Sequence, residues 1–160
     1  MNSYDENADV EDHSVGDRAR RRRFILSSTV VTIPGTWALV GVPFALGWPA
    51  VEVADEPGAR VAFTLLWCFV AFLPYAAVCV VIAHVRLVGE AHNPLVGAED
   101  ESLKIHCRVM QNTLEQLVWF VLCILPLAVL LGLEQMHLVP LCAGTFVLAR
   151  LAYWRGYFLN

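Results

Sequence analysis

Six polar side chains within apolar stretches are the strongest candidates for chemistry in this sequence of 160 residues. They form two sets at helical spacing: Arg108, Asn112 and Glu115, and then Arg150, Tyr153 and Tyr157. The first set is spaced i, i+4, i+7 and the second i, i+3, i+7, so each set occupies one face of a helix. We name them the Arg-Asn-Glu stripe and the Arg-Tyr-Tyr stripe.

Together the two stripes offer two guanidinium groups, an amide, a carboxylate and two phenols. Such a set suits a zwitterionic ligand with several carboxylates and an ammonium group, because arginine binds carboxylates bidentately. Glu115 would accept the ammonium group. A tyrosine hydroxyl or an arginine would stabilise a thiolate and so favour ionisation of a bound thiol.

A structural interpretation of the same residues stands beside the functional one. Glu115 would then neutralise Arg150 or Arg108 as an ion pair within the bundle, and the tyrosines would anchor the helix at the membrane interface. Polar residues inside membranes serve both purposes, so their spacing leaves both interpretations open.

The surrounding elements are predicted to be membrane-spanning helices. Hydrophobic residues make up 58% of the chain, charged residues only 16%, and the mean hydropathy is +0.57. A soluble domain of this size could not cover so much apolar surface. We therefore expect an all-α, multi-pass bundle of four spanning helices. They are predicted over residues 24–51, 61–86, 103–133 and 137–159, after a disordered tail over residues 1–23.

The distribution of basic residues predicts the orientation of this bundle. If the N-terminus is cytoplasmic, four crossings place ten of the eleven Lys and Arg residues inside and only Arg60 outside. Both termini are then cytoplasmic, in the plasma membrane if the source is a bacterium. The two stripes lie toward the same cytoplasmic side, where they can meet.

Several other classes of function are not favoured. No basic stripe runs along a folded domain, so nucleic acid is not an expected partner. The five cysteines include no CxxC pair and no metal site is expected. His84 and His106 have no acid at ligand spacing, and we expect solvated or hydrogen-bonded interface histidines. The run Arg20–Arg23 is expected to set topology and to contact anionic membrane lipid.

The two stripes also carry a family resemblance. Residues 108–115, with the pattern R-x-x-x-N-x-x-E, resemble the signature of the MAPEG family, the membrane-associated proteins of eicosanoid and glutathione metabolism. Residues 149–157 are similar to an A-R-L-x-Y-x-x-G-Y segment of that family. The resemblance covers about residues 62–157 and makes residues 61–160 a MAPEG-like domain.

The resemblance implies a homotrimer of helical bundles with glutathione bound between subunits near the cytoplasmic face. It also implies that the arginine, asparagine and glutamate of the first stripe and the tyrosines of the second contribute to glutathione binding. The expected function is that of a glutathione-dependent transferase or peroxidase acting on a lipophilic small molecule, with Tyr153 and Tyr157 as candidates for activating the thiol.

Two departures from the family pattern support an alternative. Catalytic members carry an activating arginine a few residues past the second tyrosine, followed by another helix, and neither occurs within these 160 residues. Arg155 is a poor substitute because it lies about 200° around the helix from Tyr153. The run over residues 24–51 precedes the family's first helix, a layout that resembles mattrin. The alternative is therefore a non-catalytic MAPEG-like protein with a structural or lipid-organising role.

Overall fold

The computed structural model describes residues 30, 32–48, 51–88 and 101–157. The predicted tail, residues 1–23, lies outside these ranges, as do residues 158–160. The described elements are four α-helices and a short 3-10 helix, Leu133–Gln135. The α-helices are α1 (Thr32–Ala45), α2 (Pro57–Val88), α3 (Glu101–Leu130) and α4 (Leu138–Gly156). The described ranges contain no strand, and the predicted all-α class is confirmed.

Three segments are long and apolar enough to cross a membrane: Pro57–Val88, Glu101–Leu130 and Leu133–Gly156. The described part of α1 is shorter, Thr32–Ala45, and at about 1.5 Å per residue it spans about 21 Å of a hydrocarbon core of about 30 Å. Residues 24–29 of the predicted first crossing lie outside the described ranges. A fourth crossing therefore stays a prediction.

The chain divides into two compact units, residues 1–41 and residues 42–160. In the first unit, residues 32–39 are all exposed, including the large side chains Ile33 and Trp37. The second unit contains α2, α3 and α4 and both stripes. Everything that positions the candidate site lies in this second unit.

A glycine ends α1 six residues before the predicted limit at Val51. Gly47 has a φ of 64°, a left-handed conformation that a side chain disfavours. Its amide donates to the Phe44 carbonyl, and the amide of Trp48 donates to the Pro43 carbonyl. These two bonds form a Schellman motif, which satisfies carbonyls that a helix end otherwise leaves unpaired. The apolar run in the sequence therefore continues beyond the end of the helix.

Helix α2 begins four residues earlier than predicted and ends two residues later. Pro57 occupies its first position, where the missing amide hydrogen carries no penalty and the fixed φ suits a helix. The prediction took Arg60 and Arg86 as limits, although charged side chains end the apolar run and not the helix. Both arginines lie inside the helix, within one turn of its ends.

The connection from α3 to α4 differs from the prediction of helices over 103–133 and 137–159. Helix α3 stops at Leu130, and Gly132 is extended, with φ −70° and ψ 160°. The 3-10 helix then fills the gap before α4. Arg60 stabilises this corner, since its Nη1 donates to the Leu131 carbonyl at 2.8 Å and its Nη2 pairs with Asp55. A cation is favourable at this helix end, where carbonyls are unpaired.

Helix α2 packs against α3 and α4 through two clusters of buried side chains. One cluster, toward the α3–α4 connection, contains Cys68, Ile124, Met136 and Val139. The other, toward the start of α3, contains Val78, Ile82, Leu103 and Val109. Tyr153 and Trp154 of α4 pack against this second cluster. The second cluster therefore fixes the end of α4 that carries the Arg-Tyr-Tyr stripe.

Candidate functional site between α3 and α4

The two stripes meet through a hydrogen bond between Arg150 and Asn112. Arg150 Nη1 donates to Asn112 Oδ1 at 2.9 Å, and both side chains are partly buried. Asn112 lies about 60° around α3 from Val109 and about 100° from Thr113, at the edge of the face where those two side chains are buried. The two stripes therefore contact each other within a single chain, as predicted, through Arg150 and Asn112.

Aromatic rings hold the Arg150 guanidinium on two sides. Its Cζ lies 5.1 Å from the ring centroid of Tyr153 and 5.7 Å from that of Phe146. Both distances allow a cation–π attraction, which strengthens as water is removed. Phe146 is itself supported by Phe120 of α3, with ring centroids 5.0 Å apart. The arginine is thus oriented by the packing of α3 on α4 as well as by its hydrogen bond.

The two tyrosines of the stripe form a pair of hydroxyl groups. Tyr153 and Tyr157 have their hydroxyl oxygens 3.1 Å apart, and their rings lie edge to face at 5.1 Å. One hydroxyl donates and the other accepts, so one hydroxyl hydrogen remains available to a ligand.

Arg108 and Glu115 are exposed on the surface of α3. Glu115 accepts a hydrogen bond from Gln111 Nε2 at 2.9 Å, one helical turn away. Within the described ranges, Glu115 forms no ion pair with Arg108 or Arg150. The structural interpretation of Glu115 as the neutralising partner of either arginine is therefore not realised within one chain. The proposed anchor role of the tyrosines remains compatible with their position near the end of α4.

The remaining candidates lie outside the stripes. His84 is exposed near the end of α2, whereas His106 is only 7% exposed and contacts Trp154 edge to face at 6.0 Å. Arg155 lines a pocket with Trp154 and away from the two tyrosines, as its helical angle predicted. The described residues hold no group of three His, Cys, Asp or Glu side chains arranged to bind a metal ion.

This arrangement is suited to binding an anion through Arg150 and Arg108 and to donating a hydrogen bond from the tyrosine pair. Arg150 Nε is buried and has no partner among the described residues, so its donor capacity exceeds what Asn112 uses. A buried donor without an acceptor costs free energy that a bound carboxylate would recover. Arg108, being exposed, remains open to a ligand or to another subunit.

Sequence reasoning missed Phe146 and the pairing role of Gln111. Phe146 precedes Arg150 by four residues, the spacing at which two helical side chains meet, so a cation–π pair was predictable. Gln111 likewise precedes Glu115 by four residues. Phe120, which supports Phe146 from α3, has no such local signal because that contact depends on how the helices dock.

Comparison with known families supports the resemblance that the stripes carry. The MAPEG family model matches residues 64–160, which is more than half of the chain and includes both stripes. No curated protein and no solved structure matches the chain. With the three long apolar helices, this match shows an integral membrane protein. The chain belongs to the MAPEG family.

Proposed function

We propose that the two stripes form a glutathione-binding site and that the protein is a glutathione-dependent transferase or peroxidase acting on lipophilic substrates. The observation that carries this proposal is the 2.9 Å hydrogen bond from Arg150 to Asn112. It brings the two motifs together on one side of the α3–α4 pair. Family membership supports the choice of ligand, since the family's name refers to glutathione metabolism.

The chemical groups of glutathione match the groups at this site. Arg150 and Arg108 would bind its two carboxylates, and Glu115 would bind its ammonium group. Asn112 would hydrogen-bond the peptide amides. Arg108 and Glu115 are exposed and Arg150 has a spare buried donor, so all three have capacity to take a ligand.

The tyrosine pair would act on the thiol. The hydroxyl group whose hydrogen is not used in the Tyr153–Tyr157 contact would donate a hydrogen bond to the sulfur. The positive charge of Arg150, next to the Tyr153 ring, would favour the thiolate. In conjugation, the thiolate sulfur would attack an electrophilic carbon of the lipophilic substrate. A carbon–sulfur bond forms, and the leaving group departs with its electron pair.

A homotrimer would complete this site. Glu115 lies fifteen residues before the end of α3, a distance of about 22 Å along the helix axis. Since a hydrocarbon core is about 30 Å thick, Glu115 lies within it. An exposed carboxylate at that depth is costly against lipid, so we propose that another subunit covers it. The family assembly would then place glutathione between subunits.

The orientation of the chain is part of the same proposal. With both termini in the cytoplasm, and the plasma membrane as the location in a bacterium, the stripes face the side where glutathione is abundant. The ten-to-one split of basic residues supports this orientation. Reporter fusions at either terminus would test it, and activity of an extracytoplasmic reporter at the C-terminus would contradict it.

Titration calorimetry of glutathione with the purified protein in lipid nanodiscs tests the binding claim. We expect saturable heat with the wild type and affinity at least about tenfold weaker for Arg108→Ala, because a charge-assisted hydrogen bond is lost. Arg108 is exposed, so this change leaves packing intact. Lys104→Ala is the matched control, as it removes an exposed cation from the same helix. Absence of heat from the wild type would refute glutathione binding.

The non-catalytic alternative rests on a different feature of the same residues. Asn112 of α3 already accepts from Arg150 of α4, and the two tyrosine hydroxyls already contact each other. A hydrogen bond such as that between Arg150 and Asn112 also serves as a structural link between helices. Conjugation of glutathione to an aryl halide separates the two functions. Turnover that Tyr153→Phe and Tyr157→Phe reduce supports the enzyme, whereas binding without turnover supports the structural role.

A further inference from the structure

An open pocket of about 440 Å³ lies between the first turns of α3 and the last turns of α4. It is lined by Ser102, His106, Leu151, Trp154 and Arg155. None of these residues belongs to either stripe. At about 100° per residue, Ser102 and His106 lie about 120° and 160° around α3 from Arg108. The pocket therefore shares no lining residue with the candidate glutathione site.

The polar groups of this pocket are suited to an anion. Arg155 is exposed and has no ion-pair partner among the described residues. The indole Nε1 of Trp154 is buried and lacks a hydrogen-bond acceptor within the same ranges. Ser102 adds a hydroxyl group, and none of the described residues that line the pocket carries a carboxylate. Donors without an acid among these lining residues favour an oxyanion over a cation.

Two contacts give the pocket a fixed wall. His106 is only 7% exposed and meets Trp154 edge to face at 6.0 Å, which holds the indole ring in place. Trp154 also packs against the buried cluster around Leu103 and Val109. Leu151 supplies an apolar surface one turn from Arg155. An amphiphile with an anionic head and an apolar tail would match this combination.

The depth of the pocket identifies the source of the anion. Helix α3 has 30 residues and is about 45 Å long, so it exceeds a hydrocarbon core of about 30 Å. Ser102 is the second residue of α3, and Arg155 is next to the last residue of α4. The pocket thus lies at the level of the lipid head groups. We propose that it binds the phosphate of an anionic membrane lipid, with Arg155 and Trp154 as donors and Leu151 against the acyl chain.

Quenching of Trp154 fluorescence by lipids brominated on the acyl chain tests this proposal. The protein is placed in phosphatidylcholine nanodiscs that contain either brominated phosphatidylglycerol or brominated phosphatidylcholine. The contribution of Trp154 is the wild-type quenching minus that of Trp154→Phe. We expect stronger quenching by the anionic lipid than by phosphatidylcholine. The apparent affinity for the anionic lipid should be about fivefold weaker in Arg155→Gln, because that is the contribution of one basic residue near a membrane surface.

Two further variants separate binding from folding. Arg155→Lys keeps the charge and should retain the preference for the anionic lipid. Lys104→Gln removes a nearby exposed cation that pairs with Glu101 and should leave the preference unchanged. Equal quenching by the two lipids, or an unchanged affinity in Arg155→Gln at the same oligomeric size, would overturn the proposal. Displacement of the anionic lipid by free inorganic phosphate at equal concentration would overturn the assignment to a lipid.

Discussion

The guanidinium of Arg150 and the side-chain amide of Asn112 form a 2.9 Å hydrogen bond between two helices, although 38 positions separate them in the chain. The bond joins the two sequence motifs that the MAPEG family model covers. It also fixes the angle at which α4 presents Tyr153 and Tyr157. The consequences of this pair for stability and for chemistry can be measured separately.

A double-mutant cycle on this pair should give a clear coupling energy. We expect Asn112→Leu and Arg150→Met each to lower the free energy of unfolding by about 1–3 kcal/mol, because each leaves a partly buried partner unsatisfied. The double variant should lose less than the sum, with a coupling of at least about 0.5 kcal/mol. Equilibrium unfolding in mixed micelles measures these values. Gln111→Leu, which breaks an exposed pair, is the control and should change stability by at most about 0.5 kcal/mol.

Removing a tyrosine hydroxyl should affect the thiol more than the binding of glutathione. In Tyr153→Phe the remaining Tyr157 hydroxyl loses its partner 3.1 Å away, and the donor to the sulfur is displaced or lost. We expect a lower fraction of thiolate at neutral pH, measured by ultraviolet absorbance of bound glutathione, with the affinity within about threefold of wild type. Tyr75→Phe on α2 is the matched control. An unchanged thiolate fraction in Tyr153→Phe and Tyr157→Phe would exclude the tyrosines from thiol activation.

Arg60 should contribute more to stability than an exposed basic residue. Its side chain is 17% exposed and bonds both the Leu131 carbonyl and Asp55, so it links α2 to the end of α3. We expect Arg60→Met to lower the free energy of unfolding by about 1–3 kcal/mol. Lys104→Met removes the exposed pair with Glu101 and should cost at most about 1 kcal/mol. Equal effects of the two substitutions would show that the Leu131 contact contributes nothing.

His137 should hold the end of α1 against the start of α4. Its Nε2 lies 3.1 Å from the Phe44 carbonyl, and its ring stacks on that of Phe44 at 4.9 Å. We expect His137→Ala to increase amide hydrogen exchange at Leu46 and Gly47, whose helix-ending bonds are next to this contact. His137→Phe should retain the stacking and give an intermediate effect. His84→Ala, at an exposed position, should change neither amide.

The apolar pattern predicted three long membrane helices that the structure contains, but not where they end. The pattern reports which side chains prefer lipid and not which residues are helical. The helix predicted from it extended beyond Gly47, where α1 ends, and the next predicted helix began after Pro57, where α2 starts. Backbone conformation decides those limits. A glycine with positive φ and a proline at the first helical position are readable signals, but each outweighs the apolar run only in its structural context.

For the site, the spacing predicted which side chains share a helix face. It did not predict which of those side chains contact the neighbouring helix. Asn112 meets Arg150, whereas Arg108 and Glu115 on the same stripe remain exposed. Helical period fixes relative angles within one helix, and the docking of α2 on α3 and α4 sets the rest. The contact of Phe120 with Phe146 was unpredictable for the same reason.

Photochemical labelling by a glutathione analogue with a light-activated group tests the central claim most directly. If the two stripes form one site, mass spectrometry of the labelled protein should find the label on peptides of both α3 and α4. The labelled positions should lie within a turn of Asn112 and of Arg150, and excess glutathione should abolish the labelling. Labelling of only one stripe, or labelling that glutathione does not compete, would contradict a shared glutathione site.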